Sequence, residues 1–229
     1  MAAGEGRRLR PLTERWPKPV LPIDGRPVIA TLLRELRAAG CRRVTVVTGH
    51  LAEQVEALMG DGSGFRLELR HARQPQPLGS ADAVARGLAS GAQPPLLITT
   101  ADTVFSPGDV ARFAEVADRW DGAGALAVRR DPPPGPERPG TVVEDGLVIQ
   151  ITDHAGASPY AHASLWALTP ALLRFLEGLP GPPYELREAY QRAIDAGERI
   201  AACEVGKTRD LTHPSDLVKE NVPYLGSSA

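Results

Sequence analysis

From residue 26 onward the apolar positions switch between a helical and a strand-like rhythm. Val28, Ile29, Leu32, Leu33 and Leu36 share one helical face across 27–39, and Gly40 is the stop signal. The β-branched run 43–48 (RVTVVT) predicts a buried strand. Residues 51–59 predict a helix, 65–70 an alternating strand, and 80–89 a helix with Ser80 as N-cap. The apolar runs 95–100 (PLLITT) and 123–129 predict two more strands, with a helix over 109–120 between them. Strands separated by helices at this spacing predict βαβ units and a largely parallel sheet.

The rhythm breaks at 131–140 (DPPPGPERPG), where five of ten residues are proline, the mark of a loop or hinge. Beyond it, 141–144 and 147–152 predict a hairpin turning at Asp145-Gly146, and 164–168 can join that sheet. A helix over 183–197, a strand over 199–205 and a final helix over 214–221 complete the pattern. The reading is one domain, 1–229, with an α/β half up to residue 130 and a smaller, mixed half from 131; no internal repeat is visible.

Composition narrows the class. The 229 residues are 42% hydrophobic and 24% charged, as in a soluble globular protein, and only 5% aromatic, so the core is built from Leu, Val, Ile and Ala. A net charge of −2 argues against nucleic-acid or membrane-surface partners. Cys41 and Cys203 form no CxxC pair, which excludes a disulfide scaffold and a structural zinc site. No apolar run approaches the roughly 18–20 residues that span a bilayer, and no secretory signal opens the chain, so the expected compartment is the cytoplasm.

The chemistry is concentrated near the N-terminus, in Gly4-Glu5-Gly6-Arg7-Arg8-Leu9 and then Pro17-Lys18-Pro19. Two glycines let backbone N–H groups approach an anion, and Arg8 and Lys18 add fixed positive charge. Alone, such a GxG is more often a surface turn. No GK[ST] follows for a Walker loop, and Leu9 stands where GxGxxG needs its third glycine.

The whole string AAGEGRRLRPLT…PKPVLPIDGRPVI, however, resembles the signature of the nucleotidyltransferases that make NDP-sugars from NTPs and sugar 1-phosphates. That pattern reads LAAGxGxRLxPLT, then PKP, then Gly-x-Pro before a helix, here Gly25-Arg26-Pro27. The resemblance implies that Ala3, Gly4 and Gly6 cradle the nucleotide, and that Arg8 and Lys18 act on the triphosphate and the transferring α-phosphate. Gln74, Gly79 and Ser80 in QPQPLGSADA match the family's base-contacting segment, with a proline-rich turn as the plain alternative.

Asp102 ends a buried strand, where α/β folds bind ligands, and the family carries its Mg²⁺-binding Asp there. The run 208–217 resembles the segment holding the second metal ligand, which makes that ligand Asp210; Thr208 replaces the family's Trp and Thr212 its Gly. Asp216 reads better as a helix-start acid, and Asn221 matches a frequent closing Asn. The sugar half matches less well. Asp153 stands for the Glu of the family's Glu-Lys-Pro, the Lys is missing, and 163–167 keep little of Asn-x-Gly-Ile-Tyr. His154, His162 and His213 lack metal-ligand spacing, and Ser164 lacks triad partners.

The resemblance implies a Rossmann-like α/β/α sandwich with a mostly parallel mixed sheet, a nucleotide-binding half over 1–130 and an acceptor-binding half over 131–229. It also implies Mg²⁺ as cofactor, with an NTP and a phosphorylated acceptor, a sugar 1-phosphate, as partners; it leaves the oligomeric state open. Two other readings stay open: a cytidylyltransferase for a non-sugar phosphate such as phosphocholine, and an inactive nucleotide-binding regulatory paralogue. The family opens with a buried apolar strand of about five residues before the Ala-Ala-Gly turn. This chain starts Met1-Ala2-Ala3, which predicts a truncated first strand and a functional start roughly 6–12 residues upstream.

Overall fold

A computed structural model of the chain describes residues 1–130, 140–152 and 158–222. Most of the proline-rich 131–140, together with Asp153 and His154, lies outside them. In chain order the elements are β1 (Pro22–Ile23), β2 (Arg26–Pro27), α1 (Val28–Ala38), β3 (Arg43–Thr48), α2 (Ala52–Met59), β4 (Glu68–Arg73), α3 (Ser80–Ala89), β5 (Leu96–Thr99), β6 (Thr103–Val104), α4 (Asp109–Arg119) and β7 (Gly124–Arg130). Then follow β8 (Gly140–Glu144), β9 (Leu147–Thr152), β10 (Tyr160–Leu168), α5 (Leu186–Asp195), β11 (Ile200–Glu204), β12 (Arg209–Asp210) and α6 (Pro214–Lys219). Among the described residues no helix is long and apolar enough to cross a membrane.

The expected strand over 65–70 is displaced to β4. Ser63–Phe65 forms a 3₁₀ turn and Arg66 is left-handed (φ 57°), so the extended backbone begins only afterwards, in parallel register with β3. The helix expected from residue 183 starts at Leu186, after the turn built on Gly181-Pro182-Pro183. At the hairpin tip Asp145 and Gly146 both take positive φ (48° and 76°), the geometry that a two-residue turn between twisted strands requires.

The sheet is mixed, and its larger part is not mostly parallel. Six strands run in the order β5-β10-β7-β11-β9-β8, in which only β7–β11 is parallel; β3–β4 forms a separate parallel pair. The reason is the change of rhythm after β7. A hairpin, unlike a helical crossover, returns the chain antiparallel, and β10 inserts antiparallel between β5 and β7. Strands from both sides of the proline-rich segment thus interleave in one sheet.

Helices cover both faces. Along β7, Ala125 and Ala127 face a core with Leu33 of α1 and Phe113 of α4, while Leu126 and Val128 face one with Val84 of α3 and Tyr190 of α5. The period of two therefore sends the small residues to one helical layer and the large ones to the other.

The gap between β3 and β5 is bridged at one end by Met1 and Ala2. Ala2 pairs in parallel with Thr48, and its N–H donates to Val47 O at 2.7 Å. The Met1 amine donates to Thr99 O at 2.7 Å, and Ala101 N–H to Met1 O at 2.8 Å.

Candidate active site

The chain leaves Ala2 in a loop held from three sides. His50 N–H donates to Ala3 O at 3.2 Å, Leu9 N–H closes a turn on Gly6 O at 2.9 Å, and the buried Thr13 hydroxyl donates to the same oxygen at 3.0 Å. Gly6 is left-handed (φ 61°), and a Cβ there would lie 2.9 Å from Thr13 Cγ2, so glycine is required twice over. Leu9 is buried in a cluster with Leu21, Ile23, Val28 and Leu211, which fastens the loop to the segment after β12.

This loop forms one wall of a cavity of about 460 Å³. Ala3, Gly4, Gly6, Arg8, Lys18, Gln74, Gly79, Ser80 and Asp102 all line it, so nine of the ten residues singled out from sequence meet in one place. Asp210 is not in the lining, although Leu211 and Thr212 are. It stands opposite Thr103 in the β6–β12 ladder, next to Asp102 in sequence. Arg209 holds that ladder in place with a two-pronged bond to Asp24 at 2.6 and 2.9 Å. Asn221 fastens the closing helix, accepting from Gly25 N–H at 2.8 Å and donating to Pro22 O at 2.9 Å.

Lys18 Nζ donates to Asp102 Oδ2 at 2.6 Å, with the two side chains 15% and 30% exposed. Burial pushes the Asp102 carboxyl up, but the Lys18 charge and the hydrogen bonds from Lys18 and Thr100 outweigh it and hold it below the usual carboxylate range. The carboxylate is therefore ionised at neutral pH, and the ammonium is fixed at the cavity wall.

Gln74, also in the lining, is buried and its orientation is set: Nε2 donates to Gly79 O at 2.9 Å and to Asp82 Oδ2 at 2.8 Å. Both amide hydrogens are thus engaged inside the protein. Gly79 takes φ 103°, and a Cβ there would lie 2.3 Å from Tyr184 O. The segment before α5 presses directly on it, with Tyr184 N–H bonded to Leu78 O and Ala81 N–H to Tyr184 O. Ser80 is not the N-cap. Gly79 takes that position, and the Ser80 hydroxyl donates to Glu185 Oε2 at 2.6 Å and accepts from Leu186 N–H at 2.7 Å. The hydroxyl therefore ties two helix starts together.

Glu185 and Pro183 line the cavity and were missed from sequence. The one local signal was the Gly-Pro-Pro run ahead of a helix, which marks a turn and no chemistry. Thr208, at the family's Trp position, accepts from the buried Arg129 at 2.9 Å, and Thr212, at the Gly position, donates to Asp210 Oδ1 at 3.1 Å. Asp216 accepts from the N–H groups of Thr212 and His213, as a helix-start acid does.

Among the described residues no cluster of three or more His, Cys, Asp or Glu side chains is placed to hold a metal. Asp102, in the turn before β6, and Asp210, on β12, offer two hard carboxylates that suit an ion taking its remaining ligands from phosphate and water. Such oxygen donors fit a divalent cation.

The chain is also similar to known proteins. The chain is 26% identical to the low-salt glycan biosynthesis nucleotidyltransferase Agl11 of Haloferax volcanii, over 96% of its own length and 64% of the relative's. It is 30% identical to the N-acetylmuramate alpha-1-phosphate uridylyltransferase of Neisseria meningitidis serogroup B, over 65% of each chain. It thus spans a little under two thirds of these curated relatives. A crystal structure of UDP-glucose pyrophosphorylase complexed with UDP-glucose superposes with a TM-score of 0.81, at 21% identity, covering 98% of this chain and 96% of that one, which shows a shared fold. Residues 1–225 match the nucleotidyl transferase family, and the chain belongs to it.

Proposed function

We propose that the protein transfers a nucleotidyl group from an NTP to a phosphorylated acceptor, a sugar 1-phosphate, and releases pyrophosphate. A phosphate oxygen of the acceptor attacks the α-phosphorus in line, the bond from that phosphorus to the β-phosphate bridging oxygen breaks, and the electron pair leaves with pyrophosphate. The observation that carries the reading is the Lys18–Asp102 pair on a cavity wall shared with the Gly4–Gly6 loop. The similarity to a nucleotidyltransferase and a uridylyltransferase described above supports it.

The chain's own residues supply positioning and charge. Backbone N–H groups of the 3–6 loop receive phosphate oxygens, with Arg8 at the open side. Lys18, oriented by Asp102, stabilises charge that grows on the α-phosphate. Gln74 offers its carbonyl oxygen to a base, because both of its amide hydrogens are already bonded. Asp102 and Asp210 would hold Mg²⁺, which supplies further neutralisation of the triphosphate when bound.

The test is pyrophosphate release over four NTPs crossed with a panel of sugar and alcohol phosphates. Release that requires one sugar 1-phosphate is the expected result. Release only with phosphocholine or a similar phosphate moves the acceptor class, and no acceptor-dependent release with any pair overturns the proposal.

A further inference from the structure

A dense ion cluster lies outside the cavity lining, around Arg209 of β12. Its Nη1 and Nη2 donate to the two oxygens of Asp24 at 2.6 and 2.9 Å, and its Nε donates to Glu220 Oε2. Nη2 also donates to the backbone oxygen of Glu220 at 3.2 Å. Both edges of one planar group are thereby engaged, which fixes its direction as well as its place. The two acids come from distant parts of the chain. Asp24 is at the tip of the β1–β2 hairpin, left-handed like Gly25 beside it (φ 51° and 68°), and Glu220 follows α6. The backbone closes the same contact: Asp24 N–H donates to Glu220 O at 3.3 Å and Gly25 N–H to Asn221 Oδ1 at 2.8 Å.

β12 needs such a hold. It is two residues long, and among the described residues it pairs only with β6, Arg209 opposite Val104 and Asp210 opposite Thr103. So short a ladder carries few main-chain bonds and does little to fix the strand's rotation about its own axis. On the far side of Asp210, Leu211 is anchored in the apolar cluster around Leu9, a contact without direction. Successive side chains of a strand leave on opposite faces, so turning Arg209 toward Asp24 and Glu220 turns Asp210 away from them. Thr103, opposite Asp210, adjoins Asp102, and β1 begins just beyond the turn Lys18–Val20. The cluster therefore joins the segment after Lys18, the strand of Asp210 and the closing helix at one point.

We propose that Arg209 is a positioning residue: by clamping β12 to the Asp24 turn and to the end of α6, it sets the direction of the Asp210 carboxylate for a divalent cation shared with Asp102. The proposal rests on the reading of Asp210 as a cation ligand given above. Magnitudes separate it from a plain stabilising role. The Arg209 and Asp24 side chains are 35% and 52% exposed, so solvent screens the pair and its loss removes little global stability. A carboxylate turned out of line loses an ion far more readily, because hard cations hold their oxygen ligands within a narrow range of distance.

The test titrates Mn²⁺ into the protein with each of the four common NTPs in turn and no acceptor. The ternary complex is read from water-proton relaxation, and Tm is measured in parallel. Arg209→Met should weaken Mn²⁺ binding by roughly tenfold and lower Tm by no more than about 4 °C. Arg209→Lys, which keeps the charge but cannot bridge both acids, should recover only part of the affinity. Asp24→Asn should act in the same direction, and combining it with Arg209→Met should be no worse than Arg209→Met alone, as for two halves of one clamp. If Arg209→Met does not fold, Arg209→Lys and Asp24→Asn carry the same comparison. A lower Tm with intact Mn²⁺ affinity marks a merely structural bond and overturns the proposal, as do additive losses in the double variant. Asp210→Asn tells this failure from failure of the cation reading. If it weakens Mn²⁺ binding and Arg209→Met does not, the clamp alone is wrong; if it has no effect, the cation reading falls and the proposal with it.

Discussion

Two cavities stand back to back, sharing Met1 and Ala101 as a partition. The front one lies where β3 and β5 end, and irregular backbone, a lysine and a carboxylate converge on it. The rear one lies between the same two strands, and its walls are core side chains and strand edges. The front cavity is the candidate site because side chains of particular chemistry converge on it at the carboxyl ends of strands. The rear cavity owes its character to backbone groups, which every residue type carries. Substitution should therefore silence the front by chemistry and perturb the rear only through packing.

The largest expected effect is at the front. Asp102→Asn keeps size and shape but removes an anion that orients Lys18 and, in the proposed reaction, holds Mg²⁺. Turnover should fall by about a thousandfold with little change in Tm, and near-normal rates at saturating Mg²⁺ would remove Asp102 from the machinery. Lys18→Ala and Lys18→Arg should both lose about a hundredfold and agree within tenfold, because a guanidinium cannot take the place of a compact ammonium 2.6 Å from Asp102. An active Arg variant would reduce Lys18 to general positive charge.

At the rear the readout is stability. Leu33 and Leu165 are both fully buried, but Leu33 borders the rear cavity, whereas Leu165 is packed within the sheet core. A side chain with empty space beside it has already forfeited part of its dispersion contacts. Leu165→Ala should cost about 3–5 kcal/mol in denaturant unfolding and Leu33→Ala about 1 kcal/mol less, with nucleotide binding unaffected by the latter. Equal costs would mean that the rear cavity collapses around Leu33.

The same contrast explains what the sequence made legible. Gly4, Gly6, Lys18 and Asp102 carry the family's motifs at fixed spacing, so they stand out in the string, and they meet in one cavity. The regular elements were readable wherever a period ran clear, as in α1, β3 and α4. The strand over 65–70 was misplaced because Phe65 fits an alternating pattern equally well as a turn residue; the left-handed Arg66 beside it carries no composition signal. Sheet direction was misjudged because strand-helix alternation was extended past β7, where hairpin connections take over. Glu185 was invisible for a different reason. Its place beside Ser80 comes from a contact between residues 105 apart in the chain, and nothing local marks it.

A smaller effect distinguishes an oriented amide from a generic polar residue at position 74. Gln74→Glu is nearly isosteric, yet it sets a carboxylate against Asp82 and the Gly79 carbonyl, so acceptors face acceptors. The cost should be about 1–3 kcal/mol at neutral pH, and smaller at acid pH as the new carboxyl protonates. No loss of stability would show that the Gln74 bonds do not hold this part of the cavity wall.

The smallest expected effect lies in the partition itself. Burial lowers the Met1 amine from 8.0 to about 6, with the Asp102 charge opposing that shift only in part. For a base with a depressed folded-state pKa, the unfolded chain binds more protons between the two values. Stability should therefore rise as pH increases from about 6 to about 8, by on the order of 1 kcal/mol, and level off above. Asp102 works in another window. Its carboxyl is lowered in the folded state, so its contribution is complete above the ordinary carboxylate range and is lost as pH falls through the folded value. The rise between pH 6 and 8 thus belongs to the terminal amine among the groups at this partition. Urea unfolding across that range should show it in the 229-residue chain, and it should vanish when Met1 is N-acetylated, where the same nitrogen is an amide N–H with no charge to desolvate. A rise that persists in the acetylated chain would place its origin elsewhere in the molecule.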